Sequence, residues 1–177
     1  MASQILVVYA TLAGSTAEIA EVVAHTLRCD GIGVDLRRVN NAPASLSEYT
    51  GVVVGSAVRD GEWLPSALDF IRHYADRLAR RPVAYFTVCM ILSEDTMDRR
   101  RRARQYVEPA IKLAKPTAIG LFAGSLDPAR LTSTAQHSAQ AQGLPVGDFR
   151  DWDRIRSWAH SLRRRLVPAH DYHYVSI

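Results

Sequence analysis

Five apolar runs separated by amphipathic stretches constrain the fold of this chain more than any other feature. They are Gln4–Tyr9, Gly33–Val39, Gly51–Val54, Val83–Val88 and Ala118–Phe122. Between and after them, helical patterns cover Ser15–Arg28, Pro65–Leu78, Thr96–Lys115 and Trp152–Arg165, with Pro109 predicting a kink or early break in the third. Strands alternating with helices in this way make an α/β protein whose parallel sheet is covered on both faces. Five such strands joined by crossover helices fit the order 2-1-3-4-5, whose switch point lies where the first and third strands emerge; a ligand is expected there. At 177 residues, one domain spanning 1–177 is the simplest organisation.

The junction after the first run is the strongest binding signal. Thr11, Leu12, Ala13, Gly14, Ser15 and Thr16 stand between a strand and the helix that begins at Ser15. A strand that turns through small and hydroxyl residues into a helix presents unpaired backbone N–H groups with the positive end of the helix dipole behind them. The sequence has no Gly-x-x-x-x-Gly-Lys-[Ser/Thr], so no lysine is placed for a nucleoside triphosphate, and no Gly-x-Gly-x-x-Gly for a dinucleotide. A hydroxyl-rich loop with one glycine suits a single monoester phosphate, such as that of flavin mononucleotide (FMN), bound without added positive charge. The plainer reading, that Ser15 or Thr16 only caps the helix, stays open on the loop alone.

Five ordered segments then carry a wider resemblance: Ile5–Ile19, Gly55–Pro65, Pro82–Cys89, Gly120–Asp127 and Gly147–Asp153. Together they resemble the flavodoxin-domain proteins grouped with menaquinone-dependent protoporphyrinogen oxidase. The resemblance implies a flavodoxin-like three-layer sandwich with non-covalent FMN, and oxidation of protoporphyrinogen IX with electrons passed to a quinone. It also implies that the loop 11–16 holds the phosphate, while the loops Ser56–Leu64 and Cys89–Asp95 border the isoalloxazine ring. The expected cofactor contacts there are Ser56, Ala57, Val58, Arg59, Gly61 and Trp63, then Val88, Cys89 and Met90, with Gly124 after the fifth strand.

Several of these residues admit two readings. Ser56, Ala57 and Gly61 are small enough for close backbone approach to a flat ring. Trp63 either stacks on that ring or anchors the helix that starts at Pro65. Arg59, the one candidate for a catalytic role, either places a cation at the flavin pyrimidine edge or is a solvated loop residue beside Asp60. The run Arg99–Arg102, after Glu94, Asp95 and Asp98, reads as a self-paired helix face.

The formal charge is +4 with a pI near 9.3, and lysine occurs only at 112 and 115. A basic surface can attract anionic headgroups or a substrate with carboxylates; no aromatic-interleaved or recognition-helix pattern points to nucleic acid. Cys29 and Cys89 do not make a disulfide framework. The opening Met-Ala-Ser-Gln shows no leader pattern, and no apolar stretch approaches the roughly 20 residues of a membrane span, so a cytoplasmic protein with at most peripheral contact at the inner face of the membrane is expected. His170 and His173 near the end lack the partners of a metal site, and no metal is expected.

The gap 123–150 before the last helix is a long loop on the ligand-bearing edge, and hence a candidate substrate or partner loop. Members of the resembled family carry an apolar, aromatic-containing helix after the Gly-x-Leu-Asp segment. This chain instead has the polar stretch Leu131–Gln142, which is not expected to insert in lipid. Two other functions share the expected fold and cofactor: an electron carrier between redox proteins, and an NAD(P)H-dependent flavin or quinone reductase. For the reductase, Arg37 and Arg38 would be the nucleotide contacts, although an edge strand far from the flavin makes them surface charges.

Overall fold

The computed structural model describes residues 4–167. Strand β1 (Gln4–Ala10) leads through the loop 11–14 into helix α1 (Ser15–Cys29), and β2 is Gly33–Arg38. The third strand, β3 (Gly51–Arg59), is longer than its apolar run; it turns through Asp60 and Gly61 into the two-residue β4 (Glu62–Trp63). Both turn residues have positive φ, 51° and 81°, the geometry an Asp-Gly hairpin turn supplies. Helices α2 (Pro65–His73) and α3 (Ala75–Leu78), strand β5 (Val83–Val88), helices α4 (Met97–Gln105) and α5 (Glu108–Leu113) and strand β6 (Ala118–Phe122) follow. The expected single helices at 65–78 and 96–115 are each divided. Pro109 sits in the first turn of α5, where its missing N–H and fixed φ are tolerated.

The main sheet is parallel in the order β2-β1-β3-β5-β6, with β4 as a short antiparallel ribbon on β3. This is the 2-1-3-4-5 arrangement with one hairpin strand added. Because side chains alternate along each strand, β1 sends Ile5 and Val7 to one face and Leu6 and Val8 to the other. The first face packs against Ile19, Val23 and Leu27 of α1. It also meets Ile155, Ala159 and Leu162 of a C-terminal helix spanning Trp152–Leu166. The second face packs against Ala67, Phe70 and Ile71 of α2 and Ala110 of α5. Burial of the Ile, Val, Leu and Phe side chains among these, each worth about 1.5–3 kcal/mol, fixes the register that aligns the strand ends.

Close packing also sets which residues are tolerated. A Cβ on Gly55 would lie 1.9 Å from the Phe86 ring, and one on Gly120 would lie 2.7 Å from Phe122 and 2.9 Å from Trp158. At these two strand positions the chain needs glycine for room.

The segment 123–150 is not a plain loop. Strand β7 (Ser125–Leu126) pairs antiparallel with β8 (Gly147–Asp148), and between them lie a 3₁₀ turn at Pro128–Arg130 and helix α6 (Ser133–Ala141). Thr132 caps α6 by accepting the Ala135 N–H, and only Ala139 of that helix is buried. Asp151 caps the C-terminal helix, now α7 (Trp152–Leu166), in the same way through the Arg154 N–H. The His170 and His173 tail lies outside the described residues.

Candidate functional site

Parallel register brings the carboxyl ends of the strands to one edge. Ala10 pairs with Ser56, Ala57 with Val88, and Val88 with Phe122. The loops that follow β1, β3, β5 and β6 therefore share one rim, at the switch point between β1 and β3.

At the first loop, Thr11 Oγ1 accepts the Gly14 N–H at 3.1 Å, closing a tight turn. Gly14 caps α1 with φ 99°, a left-handed conformation that glycine adopts without cost. No side chain caps the helix, so the N–H groups of its first turn are left without a side-chain acceptor. Thr16 adds a second donor. It is 1% exposed, and its Oγ1 is buried with no hydrogen-bond partner. A buried hydroxyl left unpaired costs about 1–3 kcal/mol, which an acceptor seated on the loop would offset. Gly124 packs against this loop so closely that a Cβ there would lie 3.3 Å from Ser15 Oγ and 3.0 Å from Val88 Cγ1. Backbone donors, an unpaired hydroxyl and a glycine-lined wall fit a monoester phosphate. Leu12 is exposed at the tip, and Ala13 and Ser15 are half-buried.

Charged groups that no local pattern reveals surround this helix end. Glu18, in the first turn of α1, pairs with Arg130 at 2.9 Å and with Arg150. Arg150, only 9% exposed, also binds Asp148 and lies 4.5 Å over the Trp152 ring. Hydrogen bonds from Arg150 and then Arg130 hold the Glu18 carboxyl below its ordinary value, against a smaller opposing effect of burial. The sequence suggested a phosphate site free of positive side chains; the fold instead sets two guanidinium groups on its margin.

The second and third loops enclose a cavity of about 550 Å³. Val58, Cys89, Met90, Ile91 and Tyr106 form its apolar wall, Gly61 its turn and Leu144 and Pro145 its roof. Gln142 ties that roof to the hairpin, donating from Nε2 to Asp60 Oδ1 at 3.0 Å. Two arginines face the cavity. Arg99 is held by Glu94 at 2.9 Å, whereas Arg102 has no partner among the described residues. The expected self-paired face is present at Arg99, Arg100 and Arg101, which pair with Glu94, Asp95 and Asp98, and Arg102 is the exception.

One ring-contact expectation is also revised. Trp63 is 2% exposed, donates from Nε1 to Thr87 Oγ1 at 2.7 Å and meets the Tyr85 ring edge-on with centroids 5.5 Å apart. It is a core aromatic with no face free for stacking. Ser56 is fully buried, its Oγ accepting the Leu64 N–H and donating to the Ala57 carbonyl, so its side chain shapes the hairpin. Ala57 and Val58 remain half-buried at the rim, and Val88 and Gly124 lie beneath it. Arg59 is exposed, with Nε 3.6 Å from Asp60. Burial pushes the Cys89 thiol up to about 12, with backbone hydrogen bonds opposing, so it is held protonated. Arg37 is engaged by Asp35 at 2.8 Å on the edge strand, opposite Val8 of β1.

Among the described residues no three His, Cys, Asp or Glu side chains form a group able to hold a metal ion, and no helix is long and apolar enough to cross a membrane.

Comparison with known proteins agrees with this architecture. The oxidised flavodoxin 2 of Bacillus cereus superposes with a TM-score of 0.59 over 92% of this chain and 99% of its own, at 19% identity. A flavodoxin variant of Fusobacterium nucleatum bound to flavin mononucleotide gives 0.54 over 94% and 98%, at 13% identity. In sequence, the protoporphyrinogen IX dehydrogenase [quinone] of Escherichia coli K12 is 31% identical over 87 residues, 49% of this chain and 48% of that protein. The chain therefore aligns with about half the length of the curated relatives it matches. A family model described as a flavodoxin domain matches residues 6–140, and the chain belongs to the flavodoxin-domain family.

Proposed function

We propose that the protein is an FMN-dependent oxidoreductase that oxidises an apolar, carboxylate-bearing small molecule, with protoporphyrinogen IX as the specific substrate and a quinone as electron acceptor. The observation that carries this reading is Arg102, exposed and without a partner among the described residues, on the wall of the half-open cavity of about 550 Å³ beside the loops 58–61 and 89–91. An electron carrier needs the same ring site; the exposed Arg102 on its wall is what favours a carboxylate-bearing substrate. The named porphyrinogen and quinone rest on the similarity to the E. coli dehydrogenase.

In this reading the donors of the loop 11–16 and the Thr16 hydroxyl hold the FMN phosphate. Ala57, Val58, Met90 and Ile91 border the ring and exclude water. The flavin, when bound, supplies the two-electron chemistry. Arg102 orients the substrate by pairing with a carboxylate through a charge-assisted contact. Cys89 is too weak an acid to serve as a thiolate base. Chain groups thus bind and orient, and the site needs no protein nucleophile.

The test is an anaerobic visible spectrum of the FMN-loaded protein titrated with protoporphyrinogen IX, with NADPH and dithionite in parallel. Bleaching by the porphyrinogen at rates that saturate with its concentration, weakened by Arg102→Gln, supports the proposal. Bleaching by NADPH alone would replace it with a nicotinamide-dependent reductase, and bleaching by dithionite alone with an electron carrier.

A further inference from the structure

We propose that Arg130 is a phosphate ligand of the cofactor site, turning from Glu18 to the FMN phosphate and so coupling the segment 123–150 to cofactor occupancy. This rests on the reading of the loop 11–16 as the FMN phosphate site.

Arg130 closes the 3₁₀ turn Pro128–Arg130, which Asp127 caps by accepting the Ala129 N–H at 3.0 Å. Its Nη1 lies 3.9 Å from where a Cβ on Gly14 would stand. The guanidinium is therefore at the mouth of the α1 N-terminus, within a side-chain rotation of any anion seated on the first-turn N–H groups. Thr16 Oγ1, buried and without a partner, points independently to a missing acceptor at the same helix end.

The ion-pair geometry shows which arginine is free to move. Glu18 has two partners. Arg150 is 9% exposed, clasped also by Asp148 and covered by Trp152, so it is fixed. Arg130 is 52% exposed and has Glu18 as its one ion-pair partner among the described residues. Releasing Arg130 leaves Glu18 neutralised by Arg150, and a phosphate ester carries more negative charge than the carboxylate Arg130 gives up. Keeping a cation between Glu18 and the phosphate also screens two like charges that share one helix turn.

The consequence reaches the cavity roof. Gln136 of α6 donates to the carbonyls of Pro128 and Leu131, on both sides of Arg130, and Gln142 at the far end of the same helix holds Asp60. Gln136 and Gln142 thus link the turn that carries Arg130 to the roof of the cavity.

Equilibrium titration of the full-length apoprotein with FMN and with riboflavin, which lacks the phosphate, isolates this contact. Arg130→Gln is expected to weaken FMN roughly tenfold or more while leaving riboflavin within about twofold, with Arg130→Lys in between. Circular dichroism verifies that each variant is folded. Equal weakening of both ligands would show a purely structural role and overturn the proposal, as would unchanged FMN affinity. If the wild-type protein binds riboflavin as tightly as FMN, the phosphate site itself fails and the proposal with it.

Discussion

Trp63 donates its indole N–H to Thr87 Oγ1 at 2.7 Å, joining the short ribbon β4 to the central strand β5 beneath the cavity. The bond fixes the hairpin Arg59–Glu62 over the sheet edge and determines how far the loop after β3 stands from the loop after β5. Trp63 therefore supports the site from below.

Trp63→Phe removes that donor and leaves the buried Thr87 hydroxyl short of a partner. The expected cost is about 2 kcal/mol of folding stability, read by chemical denaturation. FMN affinity is expected to change by less than about threefold, because the ring is not a stacking surface. A large loss of FMN affinity with unchanged stability would return Trp63 to the flavin.

Glu18 makes stability depend on pH. Its carboxyl, ordinarily near 4.5, is lowered in the folded state by Arg150 and Arg130, so the folded protein binds its proton more weakly than the unfolded chain does. The stabilisation is complete above about pH 4.5 and is lost as pH falls through the depressed folded value. Asp95, lowered by Arg154 and Arg100, acts in the same direction. Thermal melts below pH 4.5 should therefore show a steeper acid loss for wild type than for Glu18→Gln, with the two curves converging at the acid end. Parallel curves would contradict the assignment.

The two cysteines should separate cleanly in a thiol-labelling experiment. Cys29 is exposed, whereas Cys89 is 5% exposed with its thiol raised to about 12 by burial. At neutral pH one equivalent of reagent is expected to react quickly at Cys29, and Cys89 to react only on unfolding. Rapid labelling of both would mean that the floor of the cavity opens in the native state.

Much of the architecture was legible in the sequence because sheet formation depends on local apolar runs. Ile5–Tyr9 and Val83–Val88 declare strands without help from neighbours, and Pro109 declares a break in the third helical pattern. Helix α6 was not legible, since it buries only Ala139 and owes its start to the Thr132 cap; without an apolar stripe, Leu131–Gln142 reads as loop. Trp63 stood between two readings because its deciding partner, Thr87, is 24 positions away. The pairs of Glu18 with Arg130 and Arg150 span 112 and 132 positions, so no spacing rule applies to them. What the sequence read correctly was periodic and local, and what it missed arose from side chains meeting across the sheet edge.

The most direct measurement is the affinity of the apoprotein for FMN in wild type and in Gly14→Val. At φ 99° a β-branched residue is strained by about 1–2 kcal/mol, although the space around Gly14 is open, so the loop should refold locally while the sheet stays intact. A site built on Thr11, Gly14 and Thr16 predicts stoichiometric FMN binding by wild type, and a folded Gly14→Val protein that emerges from desalting without flavin. FMN retained by Gly14→Val with wild-type affinity would place the phosphate elsewhere and contradict the site.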